Sequence, residues 1–188
     1  MKRVLLIGML MLTVILSACS NNNSTSSAPA SEEEVQETVQ NFYNEMSKLE
    51  ELGKSSLAAF NEAIAAYSAE ELSDRQLEKK INEFQKTASN LSNQAKKVKI
   101  SSSLPEDIRK LLEESKIAFQ SAYSLKEQAS QGADSAEVTA EQFEELNQNA
   151  DVAMLYGISK LNEAREATGL IDADGQSTSP AETENVQE

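Results

Sequence analysis

Ser73-Asp74-Arg75-Gln76-Leu77-Glu78-Lys79-Lys80-Ile81-Asn82-Glu83-Phe84 opens a stretch that continues through Ala88, Leu91, Ala95 and Val98 to Lys99. The apolar positions 77, 81, 84, 88, 91, 95 and 98 alternate in steps of four and three. That spacing keeps them on one stripe of an α-helix and would scatter them over both faces of a strand. Ser73 and Gln76 have the spacing of a capping box, in which two side chains satisfy early backbone amides. At the far end Lys96, Lys97 and Lys99 set positive charge against the negative end of the helix dipole. Such a stripe has to be covered by others like it, so the segment points to a helical bundle.

The pattern repeats on both sides. Upstream, Ser31-Glu32-Glu33-Glu34 is a second capping box, followed by Val35, Val39, Phe42, Met46 and Leu49. Phe60, Ile64 and Tyr67 resume that face after Gly53, so one long helix is expected to about residue 67. Gly53 is its weak point, costing up to ~1 kcal/mol relative to alanine and offering a place to kink. Downstream, Pro105 suits a first helical turn, and Ile108, Leu111, Leu112, Ala118, Phe119, Ala122 and Leu125 lead to a stop at Gly132. Thr139-Ala140-Glu141-Gln142 starts a fourth segment whose inner face is Phe143, Leu146, Ala150, Ala153, Met154, Ile158, Leu161 and Ala164, with Gly169 as its stop.

Short links near residues 68–72, 99–104 and 132–138 favour antiparallel neighbours. The expected fold is all-α, an elongated up-and-down antiparallel bundle of four helices over residues 31–170. The alternative is a three-helix bundle with a long, partly free first helix, which would leave a helical face for pairing with a second copy. Residues 171–188 are acidic and lack an apolar face, which predicts a disordered tail.

Composition agrees with helices: 39% hydrophobic and 26% charged residues, with only six glycines and three prolines in 188 residues. The net charge is −14, becoming −16 once Lys2 and Arg3 are removed with residues 1–18. Nucleic acid is therefore not an expected partner, because its binding depends on neutralising phosphates with Lys and Arg. A single cysteine excludes an internal disulfide.

Residues 1–18 have the three parts of an export signal: basic Lys2 and Arg3, an apolar run from Val4 to Leu16, and small Ser17 and Ala18. As a helix, residues 4–18 would reach about 22 Å, short of the ~30 Å hydrocarbon core of a bilayer. Leu16-Ser17-Ala18-Cys19 follows the apolar run and resembles the lipobox of bacterial lipoproteins. The resemblance implies cleavage before Cys19 and a diacylglycerol on its sulfur, which holds the chain on the extracytoplasmic face of the cell membrane. Two acyl chains make a stable anchor where one is marginal. Residues 20–30 are polar and read as a flexible tether, with a root-mean-square reach of about 18 Å and a limit near 37 Å. In overall form the chain is similar to the small helical lipoproteins of Gram-positive bacteria, cell-wall-binding ones among them.

Histidine is absent, so the imidazole base of Ser or Cys triads and the His ligands of di-iron or haem bundles are missing. Glu163-Ala164-Arg165-Glu166 keeps a Glu-x-x-Glu spacing but reads as a solvated helix face. Asp172-Ala173-Asp174-Gly175 resembles the first residues of a calcium loop, yet its twelfth position falls on Thr183 rather than a glutamate. Tyr43, Tyr67, Tyr123 and Tyr156 fit core edges better than a sugar platform. No catalytic residue, metal or cofactor is expected. Lys96, Lys97 and Lys99, with Lys79, Lys80 and Lys86 on the same helix, are the one local positive patch and the candidate contact for an anionic surface.

These features point to a lipid-anchored helical protein with a non-enzymatic binding or structural role at the cell envelope, toward another protein or a polymer. Two alternatives are a membrane-anchored immunity or exclusion factor and a ligand-carrying lipoprotein. The last requires an apolar cavity between the helices, against which the regular Leu and Ala seams argue.

Overall fold

The computed structural model describes residues 30–133, 140–172 and 174–178. Four α-helices follow in chain order: α1 (Glu32–Ser68), α2 (Asp74–Lys97), α3 (Glu106–Ala133) and α4 (Ala140–Ala167). Among the described residues the one extended pairing is an isolated bridge between Ile171 and Ser177. None of the described helices is long and apolar enough to cross a membrane.

The ends follow from local chemistry. Ser31 Oγ accepts from the Glu34 amide at 3.3 Å, while the Ser31 amide donates to the Glu34 carboxylate at 2.8 Å. At α2, Gln76 Oε1 accepts from both the amide and the hydroxyl of Ser73. Lys116 of α3 donates to the Val98 carbonyl at 2.9 Å, placing a cation where the α2 dipole is negative. Gly169, at φ 72°, ends α4: its amide donates to the Glu166 carbonyl and that of Leu170 to Arg165, the paired bonds of a Schellman motif. The same pair of bonds closes α1, with Glu70 in the left-handed position at φ 60°. The expected capping residue Thr139 lies outside the described residues.

Long-range contacts fix the order. Gln36 near the start of α1 donates to Thr168 just past α4, Ser92 of α2 to Gln120 of α3, and Ser115 of α3 to Gly157 of α4. Neighbours in sequence run antiparallel and pack on one another, with α3 held between α2 and α4. This is the four-helix bundle. The first helix is not partly free, because Val39 and Met46 are fully buried in the main core beside Leu112 and Phe119. Burying those side chains, at about 1.5–3 kcal/mol each, is what holds α1 to the other three helices.

Two details depart from the sequence pattern. Beyond Gly53 the inner face of α1 runs through Leu57, Phe60 and Ala63, while Ile64 and Tyr67 are exposed. Phe60 there stacks on Phe84 of α2 with ring centroids 4.7 Å apart, in a small second core. The chain also does not leave the bundle as a disordered tail at residue 171. Ile171 is buried, and the turn after it is tied by bonds from Asp172 to Gln176, Gly175 to Asp172 and Thr178 to Leu170. The physical reason is the reversal at Gly169, which carries one more apolar side chain back onto α1 and α4. Residues 179–188 lie outside the described residues.

Candidate functional site

Of the residues singled out in the sequence, Cys19 lies outside the described residues. Lys96, Lys97 and Lys99 are exposed at the end of α2, and Lys97 lies against the middle of α1, beside Glu45, Lys48, Leu49 and Leu52. The end of the bundle where α1 begins is acidic instead, with Glu32, Asp107 and Glu166 around one hollow. Glu163 is taken up by Lys160 at 2.7 Å and by Ser159, and its carboxyl is held below the usual range first by the Lys160 hydrogen bond. Arg165 lies over the Tyr43 ring at 3.9 Å. Asp172 Oδ1 accepts from the amides of Asp174 and Gln176, so this carboxylate serves a turn. No group of three or more acidic or cysteine side chains is gathered for a metal among the described residues.

The feature that stands apart is a part-open hollow of about 230 Å³ lined from all four helices. Leu57, Phe84, Leu91, Tyr123 and Met154 supply most of its wall. Gly53 on α1 and Ala88 on α2 are its small lining residues, and the room at Gly53 is taken by the Tyr123 ring. A second hollow, walled by Phe60, Ala129 and Phe143, shares Leu57, Phe84, Lys126 and Asp151 with it. Its charged lining residues come from α1, α3 and α4. Glu50 pairs with Lys54 at 2.6 Å and Lys126 with Asp151 at 2.8 Å. Lys126 also donates to Asn147, and its side chain is only 14% exposed although it carries a charge.

Tyr123 is the unusual group in this wall. The residue is 3% exposed, and its hydroxyl oxygen is fully buried with no hydrogen-bond partner among the described residues. Nearly all buried polar groups are paired, and leaving one unpaired costs about 1–3 kcal/mol. Burial, helped by the nearby Glu50 carboxylate, pushes its ionisation well above the ordinary phenol range, so the hydroxyl remains a donor. Gly53 is what lets the ring stand there: a Cβ on residue 53 would lie 2.9 Å from Tyr123 Cε1. Sequence reading treated Tyr123 as a core-edge residue and Gly53 as a weak point of α1. The available signal was the place of Tyr123 four residues beyond Phe119 on the α3 stripe, but nothing in one helix shows that it faces a glycine on another.

In comparison with known proteins, the chain matches no family model, no curated sequence and no solved structure.

Proposed function

We propose that this protein is a lipid-anchored component of the bacterial cell envelope, held on the extracytoplasmic face by diacylglycerol on Cys19 and acting by binding rather than by catalysis. The observation that carries the reading is Leu16-Ser17-Ala18-Cys19 behind a basic and apolar leader and ahead of a short polar tether. A compact bundle whose first helix is capped at Ser31 suits such an arrangement, since the tether then joins a defined end of the rod. The lack of histidine removes the common general base and favours a binding role. The exposed Lys96, Lys97 and Lys99 are the candidate contact for anionic groups, although Lys97 lies against the middle of α1 rather than at its tethered start. Their acidic neighbours make this a weak attraction that salt screens.

Ligand carriage is a second reading, favoured by one observation: the cavity between the helices that the regular seams argued against.

Mass spectrometry of the native protein tests the anchor. A mature chain beginning at an acylated Cys19 is expected, and Cys19→Ala should leave an uncleaved precursor or release the domain from the membrane. Normal cleavage and membrane retention of Cys19→Ala would overturn the reading.

A further inference from the structure

We propose that the bundle lies along the surface of an anionic lipid bilayer, with Lys48, Lys96, Lys97 and Lys99 against lipid phosphates and the Leu52 side chain in the interface. This deepens the envelope reading and rests on it, since the anchor supplies the bilayer.

The distribution of ion pairs singles out this surface. Elsewhere lysines are held by carboxylates of the same chain, Lys54 by Glu50, Lys80 by Glu83, Lys126 by Asp151 and Lys160 by Glu163. Lys48, Lys96, Lys97 and Lys99 are exposed and take part in no ion pair among the described residues. Lys48 and Lys97 line one hollow between α1 and α2, and Lys116 adds a further cation through its bond to the Val98 carbonyl. Glu45 and Glu51, one turn to either side of Lys48, are the carboxylates that α1 sets against them, so cations are in excess. In a chain of net charge −14 this is a local reversal of sign. Such a face attracts a polyanion, and carboxylates farther away than a Debye length of ~8 Å are largely screened from it.

Exposed carbon chooses among polyanions. Leu52 is 54% exposed and shares the hollow with Leu49 and Val98. Lysine heads at headgroup level with an apolar side chain below them make an interfacial membrane contact, whereas a soluble phosphate polymer leaves Leu52 in water. Lys86, also exposed and unpaired among the described residues, lies on the same side of α2 about three turns before Lys97. Positive charge therefore runs about 16 Å along the rod, as contact with a flat surface requires.

The tether sets the pose. Lys48 lies about 25 Å along α1 from Ser31. On an upright rod the patch would stand well beyond the screening length from the headgroups. With the rod laid down, the root of the tether and the patch meet the bilayer together, and tethering makes a weak attraction sufficient.

The chain contains no tryptophan, so Leu52→Trp places a single reporter at an exposed position. The full chain carrying it is extracted from a bacterial membrane and placed in nanodiscs whose lipids are brominated along the acyl chains. Discs of phosphatidylcholine are compared with discs containing phosphatidylglycerol. In the anionic discs the tryptophan emission should shift to the blue and be quenched about twofold, and salt near 1 M, where the Debye length is ~3 Å, should reverse both. Lys48→Gln with Lys97→Gln should return the signal to its value in phosphatidylcholine. Leu155→Trp, on α4 and equally solvent-accessible but outside the hollow, should remain unquenched in both lipids. Absence of quenching at residue 52 in anionic discs would overturn the proposal. So would equal quenching in the two lipids, quenching that survives the glutamine pair, or an equal blue shift from soluble polyphosphate, which would assign the lysines to a free polyanion. Mass spectrometry of the same discs reads Cys19 separately: an unacylated chain held by its uncut leader would defeat the anchor, while the quenching result would still decide the contact.

Discussion

The hydroxyl of Ser115 on α3 donates to the carbonyl of Gly157 on α4 at 2.8 Å, in the buried centre of the seam between these helices. Two small residues let the backbones approach, and Phe119 fills the space beside them. A Cβ on residue 157 would stand 2.8 Å from Phe119 Cδ2 and 3.2 Å from the Ser115 carbonyl oxygen. Phe119 is 1% exposed and the carbonyl belongs to the α3 backbone, so neither can give way cheaply. Gly157→Ala is therefore expected to destabilise the bundle by about 2 kcal/mol in urea unfolding, although alanine is the better helix former by up to ~1 kcal/mol. Ser115→Ala should cost less, about 1 kcal/mol, because the Gly157 carbonyl remains within the α4 hydrogen-bond ladder.

Tyr123 predicts a specific response to alkali. Its phenol ionises near pH 10 when unfolded and well above that when buried in the native bundle. Below pH about 10 both states keep the proton and this contribution is complete. As pH rises further the unfolded chain loses the proton first, so native stability falls. The unfolding free energy should thus decline above pH about 10, and less steeply in Tyr123→Phe. Absorbance near 295 nm should show one of the four tyrosines ionising only as the chain unfolds. At neutral pH the same substitution removes the unpaired hydroxyl and should stabilise the protein by about 1 kcal/mol. A native titration in which Tyr123 ionises with the exposed tyrosines would contradict the burial on which this rests.

How far the fold was readable from sequence depends on which residues one considers. In α2, seven apolar side chains in unbroken register between a capping serine and terminal lysines left one solution, and five of the seven are buried: Ile81, Phe84, Ala88, Leu91 and Ala95. Ser115 was passed over because it is polar, although it continues the stripe from Ile108 and Leu112 to Phe119 and Ala122. Its seam partner Gly157 was equally silent, since close approach of two backbones is a property of the pair. In the second half of α1, Ile64 and Tyr67 fitted the helical period as well as Ala63 did. The choice fell to Phe84, whose stacking on Phe60 sets the rotation of α1 against α2. The cavity was illegible for the same reason. It exists because Gly53, Ala88 and Tyr123 meet at one level of the bundle, and a one-dimensional pattern records periods rather than levels.

Glu70 supplies a third prediction. It holds the left-handed position of the Schellman motif that ends α1, at φ 60°, where the Cβ of a non-glycine residue is crowded by backbone. Its side chain is exposed and no ion pair joins it among the described residues. Glu70→Gly should raise stability by about 0.5–1 kcal/mol, since relief of the native strain exceeds the added freedom of glycine in the unfolded chain. Glu70→Ala should give no such gain, because alanine keeps the Cβ. A rise in the urea midpoint for Ala equal to that for Gly would show that the side chain, not the backbone, was responsible.

Ile171 separates the observed end of the bundle from the tail that its sequence suggested. After Gly169 the larger apolar residues are only Leu170, Ile171 and the distant Val186, too few to show a period. Yet Ile171 is 6% exposed, in a space also lined by Tyr43 and Leu161. The reversal that brings it there is held by Asp172, whose carboxylate accepts from two amides, and by Thr178, which bonds back to Leu170 and Gly169. Ile171→Ala should therefore cost about 2 kcal/mol, within the range for truncating a buried aliphatic side chain. Asp172→Ala should cost about 1 kcal/mol through the loss of its two accepted bonds. In a solvated tail both substitutions would fall within about 0.5 kcal/mol of zero. Hydrogen exchange gives an independent measure: the amides of Asp172, Gly175 and Gln176 each donate within the turn and should be protected in the native chain. Ile171→Ala should speed exchange at all three together, because Ile171 is the one fully buried side chain among the described residues of the turn.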